Sequence, residues 1–326
     1  MTGEPWPVDD LREWAGEWFA ARGLTVVGST MPRAMPWASV VRFELDGPQG
    51  RSVVWGKAMA PGLRAEIDVL PVLARAAPGS VLEALRADRA RGVLLLPDGG
   101  PTVADLPADA ALPAWRDALV ALARLQHAAA AHVPDLLAAG APDLRPSAVA
   151  DTVAELADRP DLLQVEGECH FSDDDLQRLR HVVLPRVREA GEQFAAEARV
   201  PMTVQHDDVT PSNALVDGRW LDWGDASVSH PFGALLTALA LLGGADTRPG
   251  GVAAVPGLRS AYLGVWAELV GVPVPELERE LDRAVLFAPL GRALSWLRAG
   301  PAALERHPDI VAFWFRRFVR GFDRPA

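Results

Sequence analysis

The amino-acid sequence predicts an α+β protein of two lobes: a small antiparallel β lobe at the N-terminal side and a larger, mainly helical lobe after it. Three observations carry that expectation. Three β-like runs follow one another between residues 24 and 59, helical periodicity dominates the chain beyond residue 101, and the turn-forming segment PDGGP at 97–101 lies between the two regions. The expected division is therefore 1–97 and 98–326, with 97–101 as the hinge.

The first element is a helix over 9–22: Leu11, Trp14, Ala15 and Trp18 recur at helical spacing, acidic residues open it and Gly23 stops it. It is expected to pack on the outside of the strands that follow. The runs at 24–30, 39–45 and 51–59 read as an antiparallel meander, the last two joined through Asp46 and Gly47. Residues 63–76 show helical periodicity, with a kink or break expected at Pro71, and the apolar run at 92–96 reads as a buried strand. Further helices are expected at 111–132, 173–198, 233–243, 258–271 and 276–299; Ser172 with Asp173, Asp174 and Asp175 reads as an N-cap. Between them, 201–225 alternates short apolar runs with polar loop residues, as catalytic loops do between short strands.

Composition narrows the function. A 49% hydrophobic content suits a folded globular chain, and no apolar run long enough to span a bilayer or signal peptide is visible, so a cytoplasmic protein without a membrane partner is expected. Cys169 is the only cysteine, which excludes a disulfide framework and a thiolate cluster. The net charge of −11 disfavours nucleic acid and mildly suits a cationic substrate. Among 32 basic residues Lys57 is the only lysine. A drift toward arginine spares lysine where a slender ammonium is needed and a planar guanidinium does not fit.

The chemistry concentrates in HDDVTPSN at 206–213 and LDWGD at 221–225. His206, Asp208 and Asn213 fit H-x-D-x-x-x-x-N, and Asp222 follows nine residues later, a spacing that kinase catalytic loops use. Phosphoryl transfer to a hydroxyl needs a carboxylate to accept the alcohol proton and oxygen ligands to hold Mg²⁺ against the phosphates. Asp208, Asn213 and Asp222 can supply these functions, with a hairpin over 215–221 returning Asp222 to the loop. A solvated loop is the alternative, but an unpaired carboxylate between Leu221 and Trp223 would be costly.

This region resembles the aminoglycoside phosphotransferase and choline kinase family, which shares the protein-kinase-like fold. Its signature resembles HGDLHPGN followed by a DW pair; here His206, Asp208, Pro211, Asn213, Asp222 and Trp223 are in register, with Asp207 and Ser212 in place of the usual glycines. The resemblance implies Asp208 as catalytic base, Asn213 and Asp222 as magnesium ligands, and His206 as a residue bracing the loop. It implies that Lys57 contacts nucleotide phosphates and that Glu66, nine residues on, pairs with it. No G-x-G-x-x-G occurs at 28–40; Ser39 is the candidate phosphate donor there, with a solvent-facing serine as the alternative. Trp55 is bulkier than the small residue that protein kinases carry two positions before the lysine. Asp225 and His230 lie where the family's loop approaches the acceptor, either touching substrate or bracing the loop.

The implied activity is transfer of the ATP γ-phosphoryl group, with GTP as an alternative donor, to a hydroxyl of a small and amine-bearing acceptor such as an aminoglycoside or amino sugar. The absence of a protein-kinase-type activation loop after Asp222 argues against a protein substrate; the sequence sets no oligomeric state. Two other readings stay open: an inactive kinase-like regulator, and a metal-dependent phosphohydrolase built on His206 and Asp207, which needs further histidines. The remaining histidines, at 127, 132, 170, 181 and 307, share no metal-binding spacing, and Trp266, Trp296 and Trp314 read as core.

Overall fold

The computed structural model describes residues 4–240 and 257–323. Helix α1, Val8–Ala20, buries Leu11, Trp14, Ala15 and Phe19 on one side. That stripe packs on Val41, Phe43, Leu45, Val54, Ala58, Val93 and Leu95, so α1 covers one face of a sheet, as its amphipathic pattern predicts. The sheet contains β1 (Thr25–Met35), β2 (Ala38–Gly47), β3 (Gly50–Met59), β4 (Arg86–Asp88) and β5 (Val93–Pro97) in the order β1-β2-β3-β5-β4, each pair antiparallel. Gly56 is needed where α1 and β2 press closest, since a side chain there would meet Phe43, Leu95 and Leu11.

Helix α2, Glu66–Ala76, begins at Glu66 and runs continuously through Pro71, where the sequence suggests a kink or break. Pro71 is exposed, so its ring lies on the solvent side of the helix and away from the core. The short β4 carries no apolar alternation and was not expected. Past the 97–101 segment the chain is mainly helical, and its core is one continuous apolar cluster that includes Trp115, Trp220, Trp223, Trp266 and Phe315. Helix α3, Ala108–Ala129, supplies Trp115, Leu119, Leu122 and Leu125 to that cluster.

The helix expected over 173–198 is divided into Asp173–Arg178, a π-helical turn at Leu179–Val183, and Leu184–Glu197. Pro185 near the start of the last piece cannot donate to the preceding turn, which accounts for the widened segment. Ser172 caps it as expected: its Oγ accepts from the Asp175 N–H at 3.1 Å, and the Asp175 carboxylate accepts from the Ser172 N–H at 3.0 Å. The helix expected over 233–243 starts with a 3₁₀ turn at Pro231–Ala234 and continues as Leu235–Ala240; 241–243 lie outside the described residues. Helices Leu258–Val270, Val274–Ala299 and Ile310–Phe322 follow, and shorter helices such as Val149–Ala157 and Pro301–Arg306 lie among the longer ones. Among the described residues no helix is long and apolar enough to cross a membrane.

Two short strands, β6 (Thr203–Gln205) and β7 (Ser227–Ser229), pair antiparallel and bracket the polar segment between them. This fixes where the candidate site forms: both ends of 206–226 are tied to one ladder, and its middle must turn back toward the five-stranded sheet.

Candidate active site

A cleft of about 290 Å³ opens between the sheet and the 213–222 segment. Val40, Trp55 and Leu96 from the sheet and Leu215 and Leu221 from the segment give it apolar walls; Lys57, Glu66, Asn213 and Asp222 give it a polar end. Apolar walls with a few convergent polar groups are the usual make-up of a small-molecule pocket. Gly99 and Gly100 line the cleft, and a side chain at Gly99 would run into Leu215. The Trp55 indole N–H donates to the Asp98 carboxylate at 2.9 Å, tying β3 to the 97–101 segment.

Lys57 joins parts of the chain far apart in sequence. Its Nζ donates to Glu66 Oε2 at 2.6 Å and to Asp222 Oδ1 at 2.5 Å. Burial works against the ammonium, but Asp222 and Glu66 outweigh it and raise its pKa, so Lys57 is a permanent cation. Asp222 is lowered: burial opposes its charge, and the adjoining Lys57 ammonium overcomes that opposition. Glu66 is almost wholly enclosed, with a side chain 2% exposed, which makes Lys57 its necessary counter-charge.

Asp222 has φ 61° and ψ 59°, and among the described residues it is the one non-glycine with positive φ. Left-handed backbone at an aspartate is uncommon and is held only by surrounding structure. That structure is visible: Trp223 is buried, its indole N–H donates to the Trp220 carbonyl at 3.1 Å, and His206 Nε2 donates to the Leu221 carbonyl at 2.8 Å. His206 Nδ1 in turn accepts from the Asp208 N–H at 3.2 Å. With both ring nitrogens engaged and its ring against Trp223, His206 braces the loop and has no lone pair left for a metal.

Asn213 Nδ2 donates to the Asp208 carbonyl and to Asp208 Oδ2, both at 2.9 Å. The Leu221 N–H donates to the Asn213 carbonyl at 2.8 Å, which sets the 215–221 hairpin and brings Asn213 beside Asp222 in the cleft. Because the Asn213 amide nitrogen is used on Asp208, its oxygen is the atom it offers outward. Asn213 and Asp222 thus present hard oxygen donors, and two such protein ligands suit Mg²⁺, which takes one or two side chains and completes its shell with water and phosphate. Among the described residues no group of three or more His, Cys, Asp or Glu is arranged to hold a metal ion.

Asp207 stands in the other direction. It is buried, accepts from Ser227 Oγ at 2.7 Å and from Gln205 Nε2, and burial pushes its carboxyl up to about 6. A phosphohydrolase centre on His206 and Asp207 is therefore not formed, since both side chains are occupied within the fold. His230 is also buried, with Nε2 donating to Glu280 Oε1 at 2.8 Å and Nδ1 accepting from the Phe232 N–H at 3.3 Å. Burial lowers its pKa despite Glu280, so it is a neutral brace between helices.

Ser39 is not brought to the cleft. Strand pleating places Val40, the direct partner of Lys57, on the cleft side, and puts Ser39 beside Ala58 on the opposite face. Asp225 is near Asp208 through a residue no motif announced: Arg292 Nη1 lies 3.3 Å from Asp208 Oδ1 and 3.5 Å from Asp225 Oδ2. It also donates to the Asp207 carbonyl at 2.9 Å. Arg298 donates to the Asp225 carbonyl at 2.9 Å. Both arginines come from Val274–Ala299, a helix with no sequence signature that would single them out.

No protein-family model matches the chain, and no curated protein matches it in sequence. Solved structures do match. A macrolide 2'-phosphotransferase from Brachybacterium faecium is similar at 19% identity and a TM-score of 0.56, over 96% of this chain and 99% of that one. A choline kinase from Streptococcus pneumoniae is similar at 13% identity and a TM-score of 0.55, over the same shares. A Plasmodium vivax ethanolamine kinase is similar at 12% identity and a TM-score of 0.58, over 92% of this chain and 82% of that one. These likenesses show the fold: a small antiparallel sheet and a mainly helical remainder, arranged as in these small-molecule kinases.

Proposed function

We propose that the protein is a small-molecule kinase that transfers the γ-phosphoryl group of ATP, or of GTP, to a hydroxyl group, with Mg²⁺ as cofactor. One observation carries the reading: the only lysine of the chain, on β3, binds both Glu66 at the start of α2 and Asp222 at the end of the catalytic segment, 165 residues away. A structural salt bridge needs one carboxylate. A lysine held between two of them, at the polar end of an apolar-walled cleft, is placed to meet phosphate.

In this reading the base lies between the apolar walls, against the hinge at 97–101, with the N-lobe ending at Pro97. Lys57 orients the phosphates, and Glu66 keeps its ammonium charged and directed. Asn213 and Asp222 would hold Mg²⁺, which would neutralise charge on the phosphates. Asp208 accepts the proton of the acceptor hydroxyl as its oxygen attacks the γ-phosphorus and the bond to the β-phosphate oxygen breaks, releasing the nucleoside diphosphate. Asn213 and Arg292 fix the Asp208 carboxylate from two sides. Proton acceptance by a positioned carboxylate contributes roughly 10²–10⁴-fold. The net charge of −11 favours an amine-bearing acceptor.

The test is Mg²⁺-dependent nucleotide consumption across aminoglycosides, macrolides, amino sugars and amino alcohols, with product mass read in parallel. An acceptor should gain one phosphoryl group with the parent protein, and Asp208→Asn should lower that rate at least about a hundredfold. An equal rate in the variant refutes the role of Asp208; failure of the parent protein to bind any nucleotide refutes the kinase reading.

A further inference from the structure

Kinases commonly cover the phosphates with backbone N–H groups from a glycine-rich turn between the first two strands. Here that turn is Pro36 and Trp37, since Met35 pairs with Ala38. Pro36 has no N–H, and the Trp37 ring is committed elsewhere: it packs edge-on against Trp296 at 5.4 Å and His307 at 6.3 Å. The Trp37 carbonyl accepts from the Ala60 N–H at 2.8 Å. The hairpin tip is therefore pinned to the helical lobe, and its two-residue turn has neither a glycine nor a Pro36 N–H to offer.

A side chain stands where the cradle is missing. Arg33 pairs with Val40, and Val40 pairs with Lys57, so the three form one row across β1, β2 and β3. Directly opposed residues of neighbouring strands share a face, so the guanidinium and the ammonium lie on the same side of the sheet, about 10 Å apart at the backbone. Arg33 lines the cleft, and its Nη1 is 3.8 Å from Asp222 Oδ2, the oxygen that Lys57 does not take. Its side chain is 56% exposed and so has room to turn.

We propose that Arg33 is a phosphate-binding residue of this cleft, taking the place of a glycine-rich loop. This rests on the kinase reading above and adds a residue and a recognition mode to it. If Asp222 held Mg²⁺, the Arg33 guanidinium would be free to turn from it to the non-bridging oxygens of the nucleotide. A planar guanidinium matches a phosphate with two parallel N–H donors, which a lysine at this site would not.

The experiment is titration of the full chain with adenosine, AMP, ADP and ATP, and with the guanine series in parallel, with and without Mg²⁺. Calorimetry reads the dissociation constants, so turnover is not needed. Arg33→Ala and Arg33→Lys are compared with the parent; position 33 is on an exposed edge strand, where neither change disturbs the core. Arg33→Ala should leave nucleoside affinity unchanged and weaken triphosphate binding about tenfold or more, with Arg33→Lys intermediate. Equal affinity of parent and Arg33→Ala for the triphosphate overturns the proposal and leaves the kinase reading intact. Uniform weakening from nucleoside to triphosphate also overturns it, because that is the mark of a distorted cleft. A parent protein that binds neither series overturns both.

Discussion

Replacing Lys57 by methionine removes a charge and keeps most of the apolar stem, which isolates what the ammonium does for the fold. Lys57 Nζ lies 2.6 Å from Glu66 Oε2 and 2.5 Å from Asp222 Oδ1, and the Lys57 and Glu66 side chains are 12% and 2% exposed. At an effective dielectric of about 20, two unit charges about 3 Å apart attract by about 5 kcal/mol, much of which desolvation cancels while the pair is intact. Without Lys57 only the Trp223 backbone N–H still favours the buried Glu66 charge, so Lys57→Met should lose about 3–5 kcal/mol. Glu66→Gln in that background deletes the stranded charge and should restore most of the loss, a coupling of about 2–3 kcal/mol in a double-mutant cycle. Urea unfolding of the four proteins at neutral pH measures it. A pH series supplies an independent check. Burial already raises Glu66, and without Lys57 its folded pKa lies further above the unfolded value. The folded variant then binds the extra proton, so its deficit should shrink as pH falls from about 8 to about 5. Strict additivity of the two substitutions, with a deficit that does not change with pH, would refute the claim that Lys57 neutralises a buried Glu66.

Asp207 should give a pH effect of its own. Its folded pKa, pushed up to about 6, exceeds an unfolded value of about 3.9, so its ionisation subtracts from stability as pH rises between those values. The melting temperature of Asp207→Asn relative to the parent should climb across that window and level off above it; a difference that stays constant would mean Asp207 does not titrate with an elevated pKa. Asp222 tests backbone strain: Asp222→Gly and Asp222→Ala both remove the carboxylate, but only alanine must hold φ near 61°. The glycine variant should unfold at higher denaturant, by about 1 kcal/mol, and the reverse order would show that the loop relaxes when the carboxylate is gone.

Much of this site was legible because its chemistry restricts residue type. A lone lysine on a strand, an acid at the start of the next helix, and H-x-D-x-x-x-x-N with a later aspartate are short-range patterns, and each residue type is one that the proposed phosphoryl transfer would use. The structure brings Lys57, Glu66, Asn213 and Asp222 to one cleft, with Asp208 hydrogen-bonded to Asn213 and to His206. Ser39 was not legible for a simple reason: which of two adjacent strand residues faces the cleft depends on register, and a one-residue change reverses it. The π-helical turn before Pro185 and the unbroken helix at Pro71 show the same proline chemistry with opposite results, decided by tertiary surroundings. Arg33 and Arg292 carry no signal among 31 arginines, since what distinguishes them is the carboxylate each meets after folding.

Glycines then explain how a local motif is held by distant structure. A side chain at Gly291 would collide with the Asp207 carboxylate, and one at Gly233 would collide with the Gln205 amide. Gln205 donates to Asp207, so the backbone of Val274–Ala299 and the 3₁₀ turn Pro231–Ala234 both press on the start of the 206–226 segment at polar atoms already engaged with each other. One residue after Gly291, Arg292 reaches the Asp208 carboxylate, and it does so from the same turn of helix. The close approach at Gly291 and the reach of Arg292 are therefore one structural fact: the helix must come near enough to touch Asp207 for its next side chain to bridge Asp208 and Asp225. Asp207 occupies a position where related signatures carry glycine, and its burial is tolerated because the facing helix gives up a side chain to make room for it.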